Sequence, residues 1–151
     1  MNMKLKEQLY NQCQVFIDNR LHAVQQTIIE IQESLTSETK SSAGDKHETG
    51  RAMLQLEREK VGNQLAEIQK INQLLSKIDI SKSSEIIGLG SIVYTNKSNY
   101  FVAISAGEIQ MDHYSFYAIS AITPIAKLLL GKTIGDQIQF RDQEFEIIEV
   151  I

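Results

Sequence analysis

Two long proline-free segments with regularly spaced apolar residues constrain the fold of this chain most strongly. The only proline is Pro124, so nothing before it interrupts a helix in the way that proline does. The early residues are dense in Gln, Glu, Lys, Leu and Ile, which are readily accommodated in helices. Apolar residues form two stripes. The first recurs at steps of three and four, broken once by an eight-residue gap between Phe16 and Val24 that Leu21 partly bridges, and consists of Leu5, Leu9, Cys13, Phe16, Val24, Ile28, Ile31 and Leu35. The second has the a and d spacing of a coiled coil and consists of Leu54, Val61, Leu65, Ile68, Leu75 and Ile78.

The segment between the stripes is rich in Ser, Thr and Gly over residues 36–50, which is typical of a turn. A helix with one apolar stripe needs a partner to bury it. We therefore predict two helices, near residues 4–37 and 50–79, that pair as an antiparallel coiled-coil hairpin. This hairpin would occupy residues 1–80, with its tip near residues 41–50.

A second unit is predicted after a Ser/Gly-rich linker at residues 81–90. Residues 91–151 contain short runs of β-branched and aromatic residues between turn signals. The predicted strands are Ser91–Thr95, Asn99–Ser105, Phe116–Ile119, Asp136–Phe140 and Phe145–Val150. The predicted class is therefore α+β, a helical hairpin followed by a small antiparallel β-sheet domain with one short helix.

The one short helix of the second unit is predicted around Pro124. Thr123 is a suitable N-cap, and proline is favoured at the first helical position. Gly131 is well placed to end this helix, and Leu128–Leu130 are interpreted as its buried face.

Composition excludes several functional classes. The net charge is −4 without a basic cluster, so independent nucleic-acid binding is not expected. Cys13 is the only cysteine, which excludes a disulfide framework and a CxxC zinc site and is consistent with a reducing cytoplasm. No apolar run approaches the ~18 residues that span a bilayer, so we expect a cytoplasmic protein without membrane contact. With no tryptophan and no nucleotide or hydrolase motif, a protein partner is favoured over a metabolic substrate.

Two carboxylates, Asp45 and Glu48, stand three residues apart near the predicted tip. On a helical turn they would share a face. They could contribute ligands to Mg²⁺, although two carboxylates normally need help from phosphates or further acids. The alternative is that one of them only caps the returning helix and favours its positive end. His47 lies between them, but alternate helical residues do not face together, which disfavours it as a third ligand.

Two motifs resemble a known family. Gly44-Asp45-Lys46-His47-Glu48 resembles the Gly-Asp-x-x-Glu tip of the bacterial Gre transcript cleavage factors. The run Ile119-Ser120-Ala121-Ile122-Thr123-Pro124, followed by Leu128-Leu129-Leu130-Gly131-Lys132-Thr133-Ile134-Gly135-Asp136, is similar to the second signature of that family. The two motifs occur in the family's order and with its spacing, over essentially the whole chain.

The resemblance implies a coiled-coil hairpin and an FKBP-like domain. It implies that the C-terminal domain docks on RNA polymerase through Ser120, Thr123 and Pro124, while the hairpin enters the secondary channel. Asp45 and Glu48 would then help to hold a second Mg²⁺ jointly with the polymerase, and favour cleavage of backtracked RNA near its 3′ end. In that reading the chain is a transcription elongation factor and not an enzyme by itself, and it meets RNA only indirectly.

Departures from the family pattern keep two other functions open. Thr49-Gly50-Arg51-Ala52 follows the tip acids where the family usually has Asn-Ala-Glu-Tyr, and Thr123 replaces a serine. The alternative is a secondary-channel regulator of RNA polymerase without cleavage activity. A prolyl isomerase is suggested only by the implied FKBP-like fold, which is weak evidence of function. The aromatic residues Tyr94, Tyr100, Phe101, Phe116 and Tyr117 alternate as sheet core would, and do not indicate an isomerase pocket.

Overall fold

The computed structural model describes residues 2–40, 45–111 and 113–151, and the side chains of residues 4–37, 49–111 and 113–151. Two long helices are followed by strands and one short helix, which confirms the predicted α+β class. The elements are α1 (Asn2–Lys40), α2 (Asp45–Ser76), β1 (Ile92–Thr95), β2 (Asn99–Ala103), β3 (Gly107–Met111), β4 (Tyr114–Ser120), α3 (Pro124–Leu129), β5 (Gln137–Phe140) and β6 (Gln143–Val150).

The two long helices pair in an antiparallel sense. The Arg51 side chain donates to the Leu35 carbonyl oxygen at 3.1 Å, and the Gln14 amide donates to the Asn72 side-chain oxygen at 3.0 Å. Gln14 and Leu35 on α1 are as far apart in sequence as Arg51 and Asn72 on α2. The first contact residue of one helix bonds to the last of the other, as in an antiparallel pair.

Two buried residues of α1, Lys6 and Ile17, lie outside the predicted apolar stripe. Ile17 is only 1% exposed, whereas the predicted Phe16 is half-buried. Leu9, Cys13 and Ile17 follow at steps of four, which places them on one helix face. The eight-residue gap noted in the predicted stripe is therefore closed by Ile17 and the half-buried Leu21.

The chain divides into two compact units. One unit is Ile17–Ile71, and the other is Met1–Phe16 together with Asn72–Ile151. The start of α1 and the end of α2 thus belong to the same unit as the sheet.

The sheet has six strands in the order β3-β4-β2-β1-β6-β5. Four of the five strand pairs are antiparallel, as predicted, but β2 and β4 are parallel, with Asn99 opposite Phe116 and Ala103 opposite Ser120. The cause is β3, a strand that the sequence did not predict. After β2 the chain forms β3 at the edge of the sheet and then turns into β4. Strand β4 lies between β3 and β2, and it is antiparallel to β3 and parallel to β2.

Both faces of this sheet are covered. On one face, α3 contributes Ala126 and Leu129 to a core with residues from the strands, including Val93, Val102, Ile119, Phe145 and Ile147. Leu129 is fully buried, while Leu128 is 39% exposed and Leu130 half-buried, so the prediction that Leu128–Leu130 form one buried face is wrong. Successive residues of a helix point in different directions, and Leu130 is already the C-cap of α3.

The opposite face of the sheet carries Ile92, Phe101 and Phe116, all fully buried. The strand register places them on one side of the sheet. The first part of α1 contacts this part of the unit, since the Cys13 thiol forms a hydrogen bond with the backbone of Ile104. Ile78, just beyond α2, packs closely against Gly90. A Cβ atom added to Gly90 would lie 3.0 Å from the Cγ2 atom of Ile78.

Residues 81–90 contain neither helix nor strand, but they are bonded into the sheet unit. Ile87 is 2% exposed and belongs to the core under α3. Its N–H donates to the Lys132 carbonyl at 2.9 Å, and its own carbonyl accepts from Gly131 N–H at 2.9 Å. The Thr133 hydroxyl donates to the Glu85 carbonyl. The Ser and Gly residues predict a linker here. The segment is attached to the sheet unit through the buried side chain and the backbone hydrogen bonds of Ile87.

The buried thiol of Cys13 is expected to react slowly. Burial raises its pKa to about 12, although the hydrogen bond with Ile104 acts in the opposite direction. At pH 8 only about 10⁻⁴ of the thiol would be ionised, which is about 10³-fold less than for a free thiol. Alkylation of the native chain should be slower by at least that factor than after denaturation. The control is a Gln25→Cys variant in a Cys13→Ser background, which carries an exposed thiol. If Cys13 in the native parent were alkylated as fast as this exposed thiol, its burial would be contradicted.

Candidate functional site

The tip acids Asp45 and Glu48 lie in the first turn of α2, as the backbone shows. The sequence predicts that they lie in the turn and that the second helix begins near residue 50. The helix begins five residues earlier, at Asp45. They are therefore at helical positions three apart. Their side chains, that of His47 and the turn residues 41–44 lie outside the described part of the chain, so their predicted roles stay predictions.

Arg51 is a residue near the tip whose contact the sequence did not reveal. In the sequence it is only a departure from the family pattern, about one turn after Glu48. The structure shows its guanidinium donating to the carbonyl oxygen of Leu35 on α1. The bond joins the two helices close to their connection, so Arg51 contributes to the local geometry in which Asp45 and Glu48 are held.

The predicted docking residues Ser120, Thr123 and Pro124 form one short, well-ordered corner between β4 and α3. Thr123 is the N-cap of α3, with an extended backbone at φ −72° and ψ 152°, and its hydroxyl oxygen accepts from Ala126 N–H at 3.3 Å. The same hydroxyl donates to the Ser120 carbonyl at 2.8 Å, and the Thr123 N–H donates to that carbonyl at 3.1 Å. The structure thus brings Ser120 and Thr123 into direct contact.

The corner is supported from both sides. The Ser120 N–H donates to the Ser105 hydroxyl oxygen at 3.2 Å, and Ala126 is fully buried below. Pro124 occupies the first turn of α3, where its missing N–H costs nothing. Pro124 is nevertheless exposed, and Ile122 is 80% exposed. A rigid corner that presents apolar side chains to solvent is suited to contact with another protein.

The aromatic residues of the sheet are packed against each other. Tyr94 lies edge-on to Tyr114 and Phe116, with ring centroids 6.3 and 5.7 Å apart. Burial raises the pKa of both Tyr94 and Tyr100 above the ordinary value. Phe101 and Phe116 are fully buried. Phe101 and Phe116 are therefore sheet core, whereas Tyr114 is 58% exposed and Tyr117 is 40% exposed.

A metal site of the chain's own is not apparent in the described residues. Over residues 4–37, 49–111 and 113–151, whose side chains are described, no group of three or more His, Cys, Asp or Glu residues is arranged to hold a metal ion. Over the same ranges, no helix is both long and apolar enough to cross a membrane.

Comparisons with known proteins give little further information. No protein-family model matches the chain, and no curated protein matches it. Among solved structures, that of the transcription factor Gfh1 is similar, at 21% identity over 89% of this chain and 90% of that chain, with a TM-score of 0.34. A score of this size carries no argument about this chain, so the support for a function comes from its own residues.

Proposed function

We propose that this chain is a Gre-type transcription factor that binds RNA polymerase, inserts its helical pair into the secondary channel and stimulates cleavage of backtracked RNA. The observation that carries the proposal is the position of Asp45 and Glu48 in the first turn of α2. These acids lie where two paired helices meet, in a motif that resembles the family's tip. The second motif coincides with the capped corner at Thr123 and Pro124.

The lengths of the helices suit delivery of side chains into a deep channel. α1 has 39 residues and α2 has 32. At 1.5 Å rise per residue, a 32-residue helix extends about 48 Å, roughly two to three times the length of a typical globular helix. Acids at the joined ends of such helices can reach a site that a compact domain could not enter.

The two acids would supply carboxylate oxygens, the donor type that Mg²⁺ prefers. A second Mg²⁺ shared with the polymerase would supply Lewis acidity and lower the pKa of a bound water. The contribution of this chain is to place Asp45 and Glu48 beside the RNA phosphate, and to fix their helix through the Arg51–Leu35 bond. The catalytic centre belongs to the polymerase, which is why the chain alone is not proposed to be an enzyme.

The test of this proposal is addition of the purified protein to a stalled, backtracked polymerase complex. We expect shortened RNA with release of 3′ fragments, at a rate above that of the polymerase alone. Binding without faster cleavage would support instead the regulator that occupies the same channel, for which the departures at Thr49–Ala52 leave room. Absence of binding would contradict both functions.

Docking through the corner gives a second prediction. Replacing Thr123 and Pro124 together with alanine removes the cap hydroxyl and the exposed proline ring, and we expect weaker binding to polymerase. The lost cap alone costs about 1 kcal/mol of stability. Equilibrium binding and denaturation, measured on the same preparations, separate the two effects.

The control is Thr123→Ser, which keeps a hydroxyl that can cap α3. This variant should keep both stability and affinity. Docking at the corner is excluded if the double alanine variant remains folded and binds polymerase as tightly as the parent.

A further inference from the structure

Lys6 is a buried cation with little to balance it. The residue is 4% exposed, and its ammonium donates to the backbone carbonyl oxygen of Lys82 at 2.8 Å. Within the part of the chain that the structure describes, no carboxylate pairs with this ammonium, and burial lowers its pKa from the ordinary value. Lysine is almost never this buried unless it is paired, because removing a charge from water is costly. One neutral acceptor satisfies only one of its three N–H donors.

Lys6 lines a cavity of about 320 Å³ beside the end of α2. Two more lysines, Lys77 and Lys82, line the same cavity and are exposed, so their side chains are available to a ligand. The chain as a whole has a net charge of −4, so this concentration of positive charge is a local feature. It lies entirely within the unit that contains the sheet.

One carboxylate, that of Asp79, also lines the cavity. It is engaged with the following turn, because it accepts from the Ser81 N–H at 3.0 Å and from the Ser81 hydroxyl. These hydrogen bonds hold the pKa of Asp79 below its ordinary value, so it remains ionised. Three lysines against one carboxylate still leave a positive cavity.

Neutral donors complete the lining. The Ser84 hydroxyl oxygen accepts from Ile86 N–H at 3.1 Å, and that of Ser91 accepts from Gly88 N–H at 3.0 Å. Each oxygen uses a lone pair in these bonds, so its own hydrogen can be donated to a ligand. Both serines line the cavity, and Ser91 is buried.

We propose that this cavity binds a free small molecule that carries a phosphate or diphosphate group. Lysine ammonium groups bind phosphate as point charges, and three of them line this cavity. Tetrahedral phosphate oxygens can accept from Lys6, Ser84 and Ser91 together. The volume is at the small end of ligand sites, which suits a phosphate-sized group and not a large cofactor. This site is separate from the tip acids and from the Thr123 corner, so it goes beyond the proposed function.

The proposal is tested with inorganic pyrophosphate as the probe, by calorimetric titration of the full chain at constant ionic strength. We expect saturable binding with a Kd below about 1 mM. A double Lys77→Ala, Lys82→Ala variant should bind at least about tenfold more weakly, since two charged donors are lost. Lys97→Ala changes an exposed lysine outside the cavity and should leave the affinity unchanged.

Lys6→Met provides an independent readout, because methionine keeps much of the shape of the lysine stem and removes the charge. Pyrophosphate should raise the Tm of the parent but not that of this variant, whose own Tm should be no lower than that of the ligand-free parent. The proposal is wrong if the parent shows no binding at a pyrophosphate concentration of about 10 mM, which is tenfold above the expected upper limit of the Kd. It is equally wrong if the lysine variants bind as tightly as the parent.

Discussion

Replacing Asp45 or Glu48 with alanine is expected to reduce stimulated cleavage of backtracked RNA about 10²–10³-fold, the effect of removing one electrostatic partner from a preorganised site. A shared Mg²⁺ with so few protein ligands would depend on each carboxylate. Binding to polymerase should be unchanged, because both residues lie in the first turn of α2, away from the Thr123 corner in sequence. Cleavage rates at saturating factor, together with binding measurements, separate chemistry from affinity.

Two sets of variants make this test specific. Asp45→Asn and Glu48→Gln keep size and remove charge, so they should lose cleavage as the alanine variants do. Glu57→Ala removes an exposed carboxylate farther along the same helix and should leave cleavage unchanged. If the Asp45 and Glu48 variants cleave as well as the parent, while the parent itself is active, then the acids only cap α2 and the mechanism is wrong.

A proline at Ala66 should destabilise the chain by about 3 kcal/mol or more. Ala66 is an exposed residue in the interior of α2, so its methyl group contributes little packing. Proline there removes the N–H that bonds to the carbonyl of Gly62, and its ring clashes with that carbonyl. The kink would also misplace Asp45 and Glu48, so we expect stimulated cleavage to fall while docking through Thr123 persists.

The matched control is Ala66→Gly, which keeps the N–H and costs only about 1 kcal/mol. Denaturant unfolding followed by circular dichroism at 222 nm gives both free energies of unfolding. A proline variant no less stable than the glycine variant would show that α2 is not a continuous helix at this point in solution.

The parts of the fold predicted correctly from sequence are those that local chemistry determines. The long helices follow from apolar residues at steps of three and four without proline, and α3 follows from Thr123 before Pro124. Gly131 indeed adopts a positive φ of 82° just after this helix, which glycine tolerates without strain. Helix boundaries were less exact, because the turn residues near the tip also accept helical geometry.

The parts that were missed depend on partners distant in sequence. β3 contains Gly107, Glu108 and Gln110, which are not strand formers by themselves, and it is stabilised by pairing with β4. The parallel pairing of β2 with β4 follows from that strand and could not be read without it. Lys6 resembled any polar residue of an amphipathic helix, and only the tertiary structure shows its carbonyl partner at Lys82 and its cavity.

Because the sheet unit is assembled from Met1–Phe16 and Asn72–Ile151, it is discontinuous in sequence while the intervening unit is continuous. A gene fragment that encodes residues 91–151 alone would omit Leu9, Cys13 and Leu75, which are completely buried in the intact protein. Exchange of parts between related proteins is therefore best made at residues 16/17 and 71/72, so that a donor's Ile17–Ile71 is inserted as one module. Recombination there would replace Asp45 and Glu48 while the sheet unit keeps its own buried residues.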